Sequence, residues 1–135
     1  MLFGREKYNQ GDILECNKGM LQHFGVYVGN GDVIHFASDS HGEVLNPEGA
    51  YVKKTSLRKF SRGEYIFVNN SPSRLPVSQI VANAESKLGS NLGGYSQMSN
   101  NSEHFARWCE TGQKSCTTRN NITNGLASIF KTFLS

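Results

Sequence analysis

The apolar positions divide the chain into strand-like runs over its N-terminal two-thirds and helical stripes after them. Residues 1–10 are polar and read as loosely held, and Gly11-Asp12 opens a short run, Ile13-Leu14-Glu15-Cys16. The clearest signal follows. His23-Phe24-Gly25-Val26-Tyr27-Val28 and Asp32-Val33-Ile34-His35-Phe36 flank Gly29-Asn30-Gly31, two β-rich runs about a turn, which predicts a hairpin. Residues 37–49 form a polar loop in which His41 is solvated. Two further strands are expected at 51–57 and 64–68, the second more apolar and so more central. After a turn-rich connector at 69–75, Pro76 at a first helical position leads Val77, Ile80, Val81, Ala84 and Leu88 along one face to Gly89, a scaffold helix. A glycine-bearing loop at 90–99 precedes a second helix. Asn100 is its expected N-cap, Glu103 its capping-box partner, Phe105, Trp108 and Cys109 its apolar seam and Gly112 its stop. The last stripe, Ile122, Leu126, Ile129, Phe130, Phe133 and Leu134, is too short to span a bilayer.

The length of the hairpin loop decides which side chains meet, because strand residues alternate between faces. A two-residue loop, Asn30-Gly31, would set Val26 opposite His35 and send His23 to the other side. A three-residue loop, Gly29-Asn30-Gly31 with Gly31 left-handed, sets Gly25 opposite His35 and makes the two histidines diagonal neighbours on one face. The second register is the expected one. Two imidazoles so placed can act as a base and its orienter; read singly, each is a half-buried strand residue.

Composition narrows the classes. A chain of 135 residues makes one domain, read as 1–112, with a tail at 113–135. A net charge of +3 is too small to point to nucleic acid and suits an anionic lipid surface, where Lys53, Lys54, Arg58, Lys59 and Arg62 form a basic cluster or simply a charged edge. Cys16, Cys109 and Cys116 match neither a zinc site nor a disulfide framework, and the N-terminus does not read as a signal peptide, so a reducing, cytoplasmic setting is expected. No metal or cofactor site is expected either.

Ser102 falls in the first turn of the second helix, where unpaired N–H groups and the helix dipole favour developing negative charge. On that stretch alone, a serine at a helix start reads first as ordinary capping. Tyr27 and Asn101 are candidates for contact with substrate or an oxyanion, beside the N–H of Ser102, though packing is the simpler role for Tyr27. Cys109 lies on the apolar seam and Cys116 in a polar tail, so neither replaces Ser102 as a nucleophile.

Gly11-Asp12-Ile13, the run from His23 to Phe36, and Asn101-Ser102-Glu103-His104-Phe105 together resemble the H-rev phospholipase/acyltransferase family. Its members are relatives of lecithin:retinol acyltransferase within the NlpC-like, papain-related superfamily. The resemblance implies an α+β fold, a small antiparallel sheet packed against helices in a permuted papain-like arrangement. It also implies a Cys-His-His triad in which His23 is the general base, His35 the third polar residue and position 102 the nucleophile. The implied reaction is acyl transfer from a glycerophospholipid to water or to an amine such as phosphatidylethanolamine, with no cofactor, on a membrane that the protein meets peripherally or through a C-terminal anchor. The tail at 113–135 is then the start of such an anchor, or an amphipathic helix complete in itself.

One residue departs from the pattern. Where the family has cysteine, this chain has Ser102. A thiol of pKa ~8.5 can be drawn to thiolate by a helix N-terminus and an imidazole, whereas a hydroxyl must lose its proton during attack. Three readings follow: an introduced substitution that silences the enzyme, which is the one favoured; a natural serine variant with some activity; or a non-catalytic module, possible also in a viral relative, that binds lipid or protein. An amidase or peptidase of the wider superfamily is a further alternative.

Overall fold

Strand alternation in the first half of the chain closes into a five-stranded antiparallel sheet in the order β4-β3-β2-β1-β5. The computed structural model describes residues 7–18, 21–38, 49–94 and 101–113. In chain order the elements are β1 (Ile13–Lys18), β2 (Leu21–Gly29), β3 (Asp32–Ala37), β4 (Tyr51–Ser56), α1 (Leu57–Ser61), β5 (Ile66–Val68), α2 (Val77–Ser86) and α3 (Ser102–Thr111). This is the expected α+β class. His41, Tyr95, Asn100, Cys116 and the apolar stripe at 122–134 lie outside the described residues.

The hairpin has the expected register by an unexpected route. Val26 pairs with Ile34 and Tyr27 with Val33, which carries Gly25 opposite His35, but Gly29 pairs with Asp32. The turn is therefore two residues, Asn30 and Gly31, both left-handed at φ 56° and 78°. A bulge between Tyr27 and Gly29 supplies the third residue of offset. The physical reason is twist. A two-residue turn with both residues at positive φ matches the right-handed twist of the strands, and one extra residue in the ladder restores the parity that keeps both histidines on one face.

Each face of the sheet carries its own apolar layer. Ile13, Phe24, Val26, Ile34, Phe36 and Val52 pack against Ile80 and Ala84 of α2 and Phe105, Ala106 and Cys109 of α3. The opposite face carries Leu14, Cys16, Tyr27 and Val33 under Tyr8 and Phe60. Phe60 belongs to α1, a five-residue helix where strand and loop were expected. Ser56 caps it by accepting from the Lys59 N–H, and that local bond turns the chain out of β4.

Two other expectations change. The run at 64–68 contributes β5, an edge strand paired only with β1, whose Phe67 and Val68 are exposed; its apolar residues cover an edge rather than fill the centre. Residues 7–10 are tied down: Tyr8 packs edge-on against Tyr27 at 5.7 Å, the Asn9 N–H donates to Asp12, and the Gln10 amide donates to the Val28 carbonyl.

A polar clamp fixes α3. Glu110, wholly buried, accepts from Arg107 at 2.8 Å, from Arg74 at 2.9 Å and from the Ser71 N–H at 2.7 Å. Arg107 also donates to the carbonyl and side chain of Asn69, whose amide reaches Glu15 on β1. Arg74 closes the frame on the Gly11 carbonyl. With both ion-pair partners satisfied by further hydrogen bonds, the buried charges are compensated, and the helix is held in one position against β1 and the connector. Gly112, at φ 84°, then ends it.

Candidate active site

α3 packs on one face of the sheet and the histidines lie on the other, and a gap in the β2–β3 ladder admits the start of α3 to the backbone next to His23. The Tyr27 N–H bonds toward β1, to the Asp12 carbonyl, so by alternation the N–H groups of Val26 and Phe24 point toward β3. Pairing between β2 and β3 ends at Val26↔Ile34, and the Phe24 N–H donates instead to Ser102 Oγ at 3.1 Å. The first residue of α3 thus sits where a β3 partner would be, against the backbone beside His23. Ser102 is 2% exposed.

His23 and His35 meet as diagonal neighbours. His23 Nε2 lies 2.8 Å from His35 Nδ1, with the rings 5.0 Å apart at 80°. Both are buried under Phe60, whose ring lies 5.2 Å from each. The series continues to β4, where Thr55 Oγ1 stands 2.9 Å from His35 Nε2. Gly25 makes this close packing possible. A Cβ there would fall 2.5 Å from Val33 Cγ1, 2.9 Å from Phe60 Cε1 and 3.2 Å from His35 Cβ.

The cap of α3 differs by one residue from the expected one. Asn101 is the N-cap, its Oδ1 accepting from the N–H groups of Glu103 at 2.9 Å and His104 at 3.0 Å. The side chain that reaches back is His104, whose Nδ1 accepts from the Asn101 N–H at 3.3 Å, and not Glu103. The usual pattern asks for Glu or Gln at that position, but an imidazole nitrogen is an equivalent acceptor. Counting from the true cap makes Ser102 the first helical residue.

Of the other candidates, Tyr27 shares the histidine face, but its hydroxyl accepts from the Gly31 N–H at 2.9 Å and braces the hairpin turn. Burial pushes the Cys109 thiol far up from its ordinary pKa, which suits a core residue and not a nucleophile. Cys16 lies across from His23, buried, with Sγ 3.8 Å from the Phe60 carbonyl. Of the basic cluster, Lys53 lies over the Tyr51 ring at 4.3 Å, and Lys54, Arg58, Lys59 and Arg62 are exposed. A cleft of about 470 Å³ runs beside the first turns of α3, lined by Lys87, Ser90, Leu92, Gly93, His104, Phe105 and Trp108. Among the described residues no group of His, Cys, Asp and Glu is arranged to hold a metal ion, and no helix is long and apolar enough to cross a membrane. Sequence reasoning missed Thr55, Phe60 and the Phe24 N–H. Only Thr55 left a signal, since alternation from His35 and its partner Lys53 puts it on the same face.

The family model of lecithin retinol acyltransferase matches residues 6–115. The chain belongs to this family. It is 33% identical over 124 residues to human phospholipase A and acyltransferase 2, across 83% of this chain and 76% of that protein. It is 33% identical over 107 residues to human phospholipase A and acyltransferase 3, across 70% and 65%. With human lecithin retinol acyltransferase the identity is 28% over 127 residues, and the chain spans only 55% of that protein's length.

Proposed function

We propose that this protein has the apparatus of a phospholipase A and acyltransferase, acting through an acyl-enzyme intermediate on a glycerophospholipid, and that Ser102 leaves it with little or no turnover. The observation that carries this reading is the bond from the Phe24 N–H to Ser102 Oγ, which sets position 102 against the backbone next to His23, itself paired with His35. The names and sequence similarity of the relatives supply the substrate class.

In this reading the nucleophile at position 102 attacks the ester carbonyl and its proton passes to His23. Because His23 Nε2 faces His35, Nδ1 is the nitrogen that takes the proton. The imidazolium returns that proton to the departing lysophospholipid oxygen, leaving the acyl group on the enzyme. Water or an amine such as phosphatidylethanolamine then accepts the acyl group, with His23 as base again. Asn101 Oδ1 already engages the N–H groups of Glu103 and His104, and its carbonyl that of Phe105, whereas no acceptor among the described residues meets the N–H of Ser102. That N–H is the oxyanion donor this reading favours. The cleft along Phe105 and Trp108, one turn from Ser102, receives the acyl chain. The Phe24 N–H stabilises a developing negative charge on the nucleophile, an arrangement more useful to a thiolate than to a hydroxyl that ionises only during attack.

The protein as it stands and its Ser102→Cys form are to be assayed on phosphatidylcholine micelles, with and without phosphatidylethanolamine. Release of fatty acid or N-acyl product by the cysteine form, with at most trace turnover by the serine form, is expected. Equal activity of the two makes the protein a serine hydrolase, and no activity in either makes it a non-catalytic lipid- or protein-binding module. Serine at the nucleophile position is the observation that favours this second reading.

A further inference from the structure

The series of polar contacts that begins at His23 does not stop at His35, and its far end bears on the direction of the protons in it. Thr55 Oγ1 lies 2.9 Å from His35 Nε2 and 3.2 Å from the carbonyl oxygen of Ser56. A hydroxyl carries one proton and a carbonyl oxygen only accepts. With its proton on Ser56, Thr55 Oγ1 accepts from His35, which makes Nε2 the protonated nitrogen of His35 and Nδ1 its acceptor. Across the 2.8 Å contact His23 Nε2 is then the donor, and a neutral His23 carries its lone pair at Nδ1. The opposite polarity has Thr55 donating to His35. It forfeits the Ser56 bond, makes His23 Nε2 an acceptor and puts a proton on His23 Nδ1, where it blocks the uptake of another. The first arrangement makes one more hydrogen bond, the one from Thr55 to the Ser56 carbonyl at the exposed end of the series, and keeps the buried contact between the rings.

We propose that Thr55 is a positioning residue that sets the tautomer of His35 and, through it, holds His23 in the form deprotonated at Nδ1. It touches neither nucleophile nor substrate and acts two residues away, through the imidazole series. Its strand position makes this possible. Thr55 pairs with Val33 and so shares the face of His35, and its half-buried side chain packs beside rings that Phe60 covers. The catalytic consequence rests on the assignment of His23 as base, whereas the tautomers belong to the resting protein whatever it does.

The test is the ¹⁵N–¹H ring spectrum of the full chain labelled in histidine, recorded at about pH 8, above the ordinary imidazole pKa of ~6.5. His23 and His35 are expected as neutral Nε2–H tautomers. Thr55→Val, which keeps the β-branched shape, is expected to give mixed tautomers at both rings, and Thr55→Ser to restore the single form. In the Ser102→Cys background Thr55→Val should lower kcat/KM about tenfold, as expected for loss of one part-buried hydrogen bond at the upper end of the usual range, with recovery in Thr55→Ser. An Nδ1–H or doubly protonated His23 in the unaltered chain, or tautomers that Thr55→Val leaves unchanged, overturns the proposal. If the tautomers behave as expected while the Ser102→Cys form turns over no lipid, the enzymatic reading fails and the role of Thr55 in setting the tautomers stands.

Discussion

Gly25→Ala ought to stabilise a strand, and here it should do the reverse. Gly25 does not have a positive φ, so alanine is free to adopt its backbone conformation, and the change alone would gain about 0.4–1 kcal/mol by restricting the unfolded chain. The added Cβ, however, lands 2.5 Å from Val33 Cγ1 and 2.9 Å from Phe60 Cε1. Reaching an ordinary carbon–carbon contact requires shifts of about 1 Å at Val33 and about 0.6 Å at Phe60. Both neighbours are fully buried, and the β-branched Val33 is stiff about its first torsion. Overpacking of this kind costs about 1–3 kcal/mol, so the expected net loss centres on about 1.3 kcal/mol. With a urea m-value of about 1–3 kcal/mol per molar, the unfolding midpoint falls by about 0.4–1.3 M. Adding Val33→Ala removes the nearest atom, so the double variant should lose less than the two single losses summed. A midpoint that rises in Gly25→Ala, or strict additivity in the double variant, refutes the reasoning.

Two further predictions concern α3. Glu110→Ala leaves Arg107 buried without its carboxylate and should cost about 3–5 kcal/mol in urea unfolding, while a loss under about 1 kcal/mol would show that the clamp does not hold the helix. The Cys109 thiol, raised by burial, keeps its proton in the folded state and loses it in the unfolded chain above pH ~8.5, so the folded state binds more protons there. Stability from this group is therefore fully present below that pH and falls above it, by up to about 1.4 kcal/mol per pH unit. Comparison with Cys109→Ala, whose stability should fall less steeply over the same range, checks the sign.

The apparatus was legible in the sequence to the extent that it depends on alternation and spacing. The face shared by His23 and His35, the position of Ser102 in the first turn and the stop at Gly112 all follow from periods of two and 3.6 and from local turn chemistry. Where two local solutions give the same parity, sequence does not distinguish them, and the hairpin joins a short turn to a bulge where a longer loop was expected. What depends on distant partners left little trace. The Glu110 clamp joins residues from β1, the connector and α3, and the gap that admits Ser102 is defined by a backbone bond that β3 does not make. The place of 64–68 in the sheet leaves no local trace for a related reason. Apolar content reports burial on some face, not a place in the strand order, and β5 occupies an edge.

If position 102, His23 and His35 form one acyl-transfer centre, the intact mass of the Ser102→Cys form after brief exposure to phosphatidylcholine micelles reports it. A single acyl adduct on that cysteine, labile to hydroxylamine and absent when His23→Ala is added to a folded protein, is predicted. No adduct, or one that survives loss of His23, would contradict it.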